Sequence, residues 1–482
     1  MGHVIRKQVL DVSIHRSLDA FQVQHALSDW YWNQLLPLME QAFDELVPEG
    51  ETVWIDKLEI DLGQLSPMLF KDQHWLADFQ QALTEQLRKV ISEQLAAKNN
   101  AQKYSPVLQA ARQWLYYMQH GVLPWNISSL PEGWLDKVLQ ALATEISSID
   151  NLRRLIANDQ QILLRIIRQH DHRFITSLIK VLTAKQQADL SPLIKELEIL
   201  YTAISGKPES MSLARFREQS IAMILAEAAN AQHRFELDKV LQQIMAKLKP
   251  GQLLEEASAA IAQKLAVLKP AWNKHLEEIT KTPLSHTTTE LKEEGEQFTP
   301  SNEPALQNED EKIIDHEGLY VDMAGLVLLH PFLSMFFNQL NWTAQNQFSN
   351  KDCQQRAIGM LHYLATGKTN APEYELGMAK IICGYPLQEP VPAEFDFTKE
   401  ELEEADHLLT VVISRWDVLK RTSIDGLREA FLQRRGKLTN EETGMLLQVE
   451  QSSIDMLLDQ LPWTLSMIKL PWMKNLLRVD WR

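Results

Sequence analysis

The chain has 482 residues, of which 45% are apolar and 23% charged, the composition of an ordinary globular protein. Its 48 basic and 64 acidic residues give a formal net charge of −16, which argues against nucleic-acid binding because phosphate contacts need a basic face. The two cysteines exclude a disulfide framework and a cysteine-rich metal site, and they favour a reducing compartment.

No apolar segment of signal-peptide length follows the N-terminus. The longest apolar run, residues 323–337, is interrupted by His330 and Pro331 and is shorter than the roughly 20 residues that a membrane helix needs. We therefore expect a soluble protein with no stable membrane insertion, in which this run forms a pair of buried helices.

Residues 1–65 predict a small α/β unit in the order strand, helix, strand. Apolar and polar residues alternate over 9–14, as in a half-buried strand. A helical pattern follows, in which Pro37 marks either a kink or the start of a new helix. Apolar residues at alternate positions of 54–62 predict the second strand, which Gly63 ends.

Residues 66–281 have the apolar period of helices, broken by proline and glycine. One helix is expected over 107–120, because Gly121 follows it as a C-terminal signal. Residues 151–200 are strongly amphipathic. No repeat of fixed length is present, so the pattern does not indicate a solenoid.

Residues 282–317 differ in kind from the rest. The 28 residues from Glu290 to Glu317 contain ten acidic and two basic side chains, a net charge of −8. A segment with so few large apolar side chains does not bury enough surface to offset the entropy of ordering. We predict an acidic disordered linker.

Residues 318–482 predict a second helical domain, with one helix stopped by Gly367 and another over about 402–416. The tail after residue 459 reads as a short strand, a turn and a second strand, although a helix over 471–477 is an alternative. The predicted fold is therefore mainly α, with a small α/β N-terminal unit and a short tryptophan-rich C-terminal hairpin.

Three carboxylates near the N-terminus, Asp56, Glu59 and Asp61, are the most enzyme-like feature. Glu59 and Asp61 would lie about 7 Å apart on one strand face, where paired carboxylates divide acid and base roles. A solvated strand face, or pairing with basic residues such as Arg6 and Lys7 on the paired strand, explains the same pattern and is the favoured interpretation. We therefore predict no catalytic residues.

Other functional motifs are missing from the sequence. No histidine pair has metal-ligand spacing on a helix, and no glycine-rich nucleotide loop or nucleophile elbow occurs. His330, beside Pro331 in an apolar run, is interpreted as a core histidine. We predict no cofactor and no metal. Trp463, Trp472 and Trp481 either close the helical core or form a docking surface, and the two roles are compatible.

Several separated segments resemble the tape measure proteins of extracellular contractile injection systems, which are phage-tail-like particles. They cover the first 63 residues and most of 319–482, with GVLPW at 121–125 as one possible further match. The matching segments are HVIRKQ at 3–8, LLP at 35–37, IDKLEIDLG at 55–63, AGLVLLHPFL at 324–333, RA at 356–357, LATG at 364–367, ICG at 382–384, LPW at 461–463, LPWM at 470–473 and VDW at 479–481.

The resemblance implies a non-enzymatic assembly protein that sets tube and sheath length and docks at the baseplate. Its implied partners are the inner tube, the baseplate and spike hub, and the cap, with assembly in the bacterial cytoplasm followed by residence in the particle. As one continuous helix the chain would span about 700 Å at 1.5 Å per residue. The resemblance does not distinguish a refolded ruler from a short member that measures little.

The residues expected to carry the function, by docking to partners or by holding the fold, are those of the N-terminal and C-terminal signatures together with His330 and Pro331. They are Arg6, Asp56, Glu59, Asp61, Gly63, His330, Pro331, Trp463, Trp472 and Trp481. The first alternative is a globular assembly chaperone or baseplate adaptor of the same particle. The second is a hydrolase that uses Glu59 and Asp61.

Overall fold

A computed structural model describes part of the chain, including nearly all of its C-terminal third. The described segments are 20–46, 52–55, 84–89, 101–104, 106–124, 130–184, 213–230, 318–441 and 444–481, with single residues at 5, 8, 9, 92, 127, 195, 198, 201, 240, 243, 244 and 314. The predicted first strand, apart from residue 9, and nearly all of the predicted linker lie outside them. The fold is mainly α, as predicted, with a small sheet near the C-terminus.

Contacts divide the chain into two compact units. The first unit contains residues 1–113 and 125–145, and the second contains 114–124 and 146–482. The second unit therefore takes residues from both sides of the predicted linker.

In the first unit a helical stretch from residue 20 to residue 46 contains a π-helical turn. Helix α1 is Ala20–Trp30, the π turn is Tyr31–Leu35, and α2 is Leu36–Leu46. The Leu36 N–H bonds to the Tyr31 carbonyl, five residues back. Pro37 supplies no N–H to the preceding turn, so the register widens there while the helix continues.

The first unit also contains two short strands and a further helix. Strand β1 (Thr52–Ile55) pairs antiparallel with β2 (Ala101–Tyr104). Strand β1 overlaps the start of the predicted second strand. The chain passes to the second unit within α3 (Pro106–His120), which ends at Gly121 as predicted, and α4 is Trp134–Thr144.

Aspartates divide the amphipathic stretch after residue 145 into separate helices. Asp159 accepts a hydrogen bond from the Gln161 N–H, and Asp171 accepts one from the Phe174 N–H, so each caps a helix N-terminus. The helices are α5 (Ile146–Asn158), α6 (Gln160–Gln169), α7 (His172–Thr183) and α8 (Leu213–Ala229).

The rest of the second unit packs helices around a large apolar core. The predicted pair of buried helices is a 3₁₀ segment, Ala324–Leu329, followed by an α-helix with Pro331 in its first turn. The helices here are α9 (His330–Gln339), α10 (Lys351–Thr366), α11 (Gly377–Ile382), α12 (Lys399–Arg415) and α13 (Ile424–Leu427).

Helix ends in this part of the unit follow local signals. Gly367 ends α10 in the left-handed conformation at φ 74°, as predicted. A capping box begins α12: Thr398 accepts from the Glu401 N–H, and Glu401 accepts from the Thr398 N–H.

The C-terminal part of the chain contains a small hairpin and a five-stranded sheet. The hairpin consists of β4 (Thr343–Ala344) and β5 (Gln347–Phe348). The strands of the sheet are β3 (Leu319–Val321), β6 (Gly436–Glu441), β7 (Gly444–Val449), β8 (Met467–Ile468) and β9 (Leu477–Asp480).

The five-stranded sheet incorporates the tail. Its strands lie in the order β3-β6-β7-β9-β8, and β7 and β9 pair in parallel. The predicted C-terminal hairpin is present, because β8 pairs antiparallel with β9. The sequence did not indicate the β6–β7 hairpin.

Gly325, in the 3₁₀ segment, lies directly against the backbone at Phe431. A Cβ atom at Gly325 would overlap the Phe431 carbonyl oxygen and lie 2.9 Å from the Leu432 Cα. Neither contact involves a flexible side-chain end. Only glycine therefore lets these two segments pack together.

We predict that Gly325→Ala lowers the free energy of unfolding by about 2–3 kcal/mol, because the new methyl group forces two backbone segments apart. Urea denaturation of the purified chain measures the change. The control is Gly377→Ala, whose Cβ would meet only a side-chain methyl of Val321 at 3.3 Å. Equal losses for the two variants would contradict the prediction.

Candidate functional site

The three C-terminal tryptophans hold the tail onto the second unit. The Trp472 ring is buried against Phe348 and Phe337, with centroids at 4.9 and 5.7 Å, and its Nε1–H donates to the Ile382 carbonyl at 2.9 Å. Trp481 is also buried, and its Nε1–H has no acceptor among the described residues. In this arrangement both rings fill the core.

Trp463 joins the segment 461–463 to the segment 324–333, which lies over 130 residues earlier in the chain. Its ring meets Phe332 edge-on at 5.1 Å, and its Nε1–H donates to the Leu328 carbonyl at 3.1 Å. His330 begins the same helix as Phe332 and is half-buried, with its Nδ1 2.9 Å from the Val327 carbonyl oxygen. Burial lowers the pKa of His330. Pro331, next in the helix, is exposed.

The N-terminal signature residues lie outside the described residues. They are Arg6, Asp56, Glu59, Asp61 and Gly63. Their roles stay predictions.

The second unit contains a cluster of buried charges that the sequence analysis did not identify. Glu373 is fully buried between two cations: its Oε2 accepts from Arg165 Nε at 2.9 Å, and its Oε1 accepts from Lys380 Nζ at 2.6 Å. Arg165 and Lys380 are themselves almost fully buried. We call these three residues the charge cluster.

Backbone carbonyls complete the hydrogen bonding of the two cations. Arg165 donates through Nη1 to the Met118 carbonyl and through Nη2 to the Gln388 carbonyl. Lys380 donates to the carbonyls of Leu387 and Glu389, both at 2.8 Å. With one carboxylate for two cations, these carbonyl dipoles supply the remaining stabilisation of the buried charge.

Gly121 leaves the space that the charge cluster needs. Its φ is +72°, and a Cβ there would lie 2.8 Å from Glu373 Oε1 and 3.1 Å from Arg165 Nη2. The residue that ends α3 therefore also admits the carboxylate, because any larger side chain would displace it.

Neighbouring residues of α6 extend the contact with the chain around residues 387–391. Arg168 pairs with both Glu218 oxygens at 2.8 and 3.0 Å and donates to the Pro390 carbonyl at 2.9 Å. Gln169 donates to the Val391 carbonyl at 2.8 Å, and its side-chain oxygen accepts from the Glu373 N–H at 2.9 Å.

Burial, and then the charges of the cluster, shift the pKa values of two groups beside it. Burial, and then the Glu373 carboxylate, raises the pKa of Tyr117 well above its ordinary value. Burial, and then the Arg165 guanidinium, lowers the pKa of His120. Both groups are thus held neutral, which adds no further charge to the site.

His170 follows Gln169 and is held as the neutral ring. Its Nε2 accepts from Trp114 Nε1–H at 2.9 Å, and its Nδ1–H donates to the Ile166 carbonyl at 3.0 Å. The ring also stacks on Phe174 with centroids 4.3 Å apart. Protonation at Nε2 would break the tryptophan hydrogen bond, and burial lowers the pKa to about 4.

The buried polar side chains of the second unit stabilise its packing. In the part of the chain that the structure describes, no three His, Cys, Asp or Glu side chains are placed to hold a metal ion. Cys383 is fully buried and its pKa is raised well above the ordinary value by desolvation, which suppresses the reactive thiolate. Among the described helices, none is long and apolar enough to cross a membrane.

Comparison with known families identifies the chain. The family model described as contractile injection system tape measure protein matches residues 2–481, essentially the whole chain. The chain belongs to this family. No curated protein and no solved structure matches it.

A tape measure protein is a structural component of a contractile injection system, so the chain has a structural role and associates with other parts of such a particle. The resemblance drawn from the terminal segments is therefore confirmed.

One feature of this tape measure protein's sequence indicated buried charges: two cations lie among apolar residues. Arg165 lies between the buried Leu163 and Ile166 on an amphipathic helix, and Lys380 lies between Ala379 and Ile381 in an apolar run. A cation at a core-facing position needs a buried partner. Nothing in the sequence, however, identifies Glu373 as that partner from 208 residues away.

We predict that Glu373→Gln lowers the free energy of unfolding of the second unit by about 3–5 kcal/mol, because two buried cations lose their carboxylate. Urea denaturation measures the loss. Glu403→Gln is the control, since Glu403 is exposed and its ion pair among the described residues is with Lys399, one helical turn away. A loss no greater than that of the control would show that the charge cluster does not stabilise the unit.

We predict that His170 makes the second unit less stable as the pH falls. Its pKa is about 4 in the folded chain against 6.5 unperturbed, so between these values the unfolded chain binds a proton that the folded chain does not. The contribution is complete above pH 6.5 and is lost as the pH falls towards 4, by at most about 3 kcal/mol.

Urea denaturation at pH 7 and pH 4.5 measures this effect. The His170→Gln variant should lose less stability between the two pH values than the unsubstituted chain does. His407, exposed on α12, supplies the control His407→Gln, which should keep the full dependence. An unchanged dependence in His170→Gln would refute the assignment.

Proposed function

We propose that the chain sets the length of the tube and sheath, acting as a ruler whose span limits stacking of the tube rings. The observation that carries this proposal is the family match over residues 2–481. The role is non-enzymatic, and the burial of Cys383 and of the charge cluster in packing contacts supports that.

We also propose that the C-terminal end docks at the baseplate and spike hub. The support is local: Pro331 and Met335 are exposed on the helix that Trp463 packs against, while Trp472 fixes the tail to the apolar core. A rigid apolar surface of this kind costs little conformational entropy when it is covered.

The remaining proposed partners are the inner tube and the cap. Assembly takes place in the bacterial cytoplasm, and the chain then stays within the particle. The N-terminal signature residues are proposed to serve docking as well: Arg6, Asp56, Glu59, Asp61 and Gly63.

A globular assembly adaptor of the same particle is the second candidate. The charge cluster favours it, because a fully buried ionic network keeps the second unit folded and short. An adaptor would be absent from finished particles or present at one end in low copy number.

We predict that inserting a 40-residue helical segment between residues 64 and 83 lengthens the tube by about 60 Å, since a helix rises 1.5 Å per residue. Deleting 64–83 should shorten the tube. Negative-stain electron microscopy of purified particles measures both changes. Normal tube length in particles assembled with either variant would reject the ruler and favour the adaptor.

A further inference from the structure

Helix α6 contacts the C-terminal third of the chain through hydrogen bonds that follow the helix's own spacing. Its Arg165, Arg168 and Gln169 donate to the carbonyls of residues 388, 390 and 391, in the same order along both segments. Arg165 also pairs with Glu373 at 2.9 Å. Donors at positions i, i+3 and i+4 lie on one face of a helix, so a single face makes all of these contacts. We call Glu373 and these three carbonyls the α6 site.

The end of α3 reaches the C-terminal third beside α6. The Tyr117 hydroxyl donates to Gln169 Oε1 at 3.0 Å, which ties α3 to α6. The Tyr117 ring meets Tyr374 edge-on with centroids 5.4 Å apart, and Val122 lies in the apolar core of the C-terminal third. The end of α3 and α6 therefore bind the C-terminal third together.

The C-terminal third shapes the α6 site with residues of its own. Lys380 donates to the Glu373 carboxylate at 2.6 Å and to the carbonyls of residues 387 and 389, which alternate along the chain with those that α6 uses. Prolines at 386, 390 and 392 restrict the backbone of this segment. The acceptors are thus preorganised, so little conformational entropy is lost when the helix binds.

A long stretch of chain connects these helices to the C-terminal third. Ile244 and Ile314 are both buried, and the connection between them, residues 245–313, includes most of the predicted acidic linker. Fully extended, this connection would span about 240 Å at 3.3–3.6 Å per residue, several times the diameter of a compact chain of this size. Its length is therefore sufficient for α6 to reach the α6 site of a neighbouring copy as well as its own.

We propose that the α6 site also binds α6 of a second copy of this chain, so that two copies exchange these helices and associate. The same residues meet in both arrangements, and the local concentration set by the connection is what favours the contact within one chain. Exchange is thus favoured where copies are crowded or where the contact within one chain is broken. A second copy is the occupant because its α6 supplies all three donors at the spacing that the site accepts. The proposal is independent of the ruler function.

Two full-length variants with different affinity tags test the exchange. Arg165→Glu brings two carboxylates together at the α6 site and Glu373→Lys brings three cations together, so each variant disfavours binding of its own α6. When both are co-expressed, α6 of the Glu373→Lys chain meets an intact site on the Arg165→Glu chain. We expect this mixed pair to co-purify roughly tenfold or more above either variant with itself, since one native ion pair is restored. Equal recovery of mixed and same-variant pairs would overturn the proposal.

A measurement on the unsubstituted chain keeps the test decisive if these variants do not fold. Differently tagged copies are unfolded in urea together and refolded at increasing protein concentrations. Pairs that carry both tags should become more frequent as the concentration rises, because the contact within one chain does not depend on it. Forty glycine and serine residues inserted after Pro300 should raise this frequency further, by up to about twofold, since a longer connection lowers the local concentration of the chain's own α6.

The matched control carries the same insertion between residues 64 and 83, outside the connection, and should leave the frequency of pairs unchanged. A frequency that is insensitive to protein concentration, or that responds equally to the two insertions, would refute the exchange.

Discussion

The second unit depends on burying Glu373 between Arg165 and Lys380. A buried carboxylate is tolerated only when it is paired and hydrogen-bonded, and the same holds for each cation. Here every requirement is met by a different part of the chain: α6 supplies Arg165, α11 supplies Lys380, and the segment around Leu387 supplies carbonyls. Because the network works only when complete, these parts must fold together.

This constraint explains why the helices before the predicted linker belong with the C-terminal third. Helix α6 contributes a full row of donors to residues 388–391, and Val122 enters the apolar core of the C-terminal part. The tail is fixed by a different interaction, since Trp463 and Trp472 each combine ring packing with an indole hydrogen bond to a carbonyl.

In a tape measure protein, folding makes the end-to-end distance of the chain shorter than its extended length. In an extended helix every residue adds to the span, whereas in this fold strand pairing and a shared apolar core hold residues 319–371 against the rest of the C-terminal third. The ruler and the adaptor interpretations thus differ physically in one respect: whether the ionic network of the second unit persists in the particle.

Local features of this protein were determined by the sequence. The ends of α3 and α10 at Gly121 and Gly367, and the pairing of β8 with β9, follow from backbone preference and short-range alternation, which act within a few residues. The family could also be recognised from the sequence, because its matching segments are contiguous and follow the expected order along the chain.

The tertiary structure alone decided how distant segments pair. The sequence did not indicate the β6–β7 hairpin, the parallel pairing of β7 with β9, or the choice of Glu373 among 64 acidic residues as the partner of Arg165. Nor did it give Gly121 its second role beside that carboxylate. Such contacts are selected by the packing of the whole unit, because burial changes the energy of a charge far more than its sequence neighbours do.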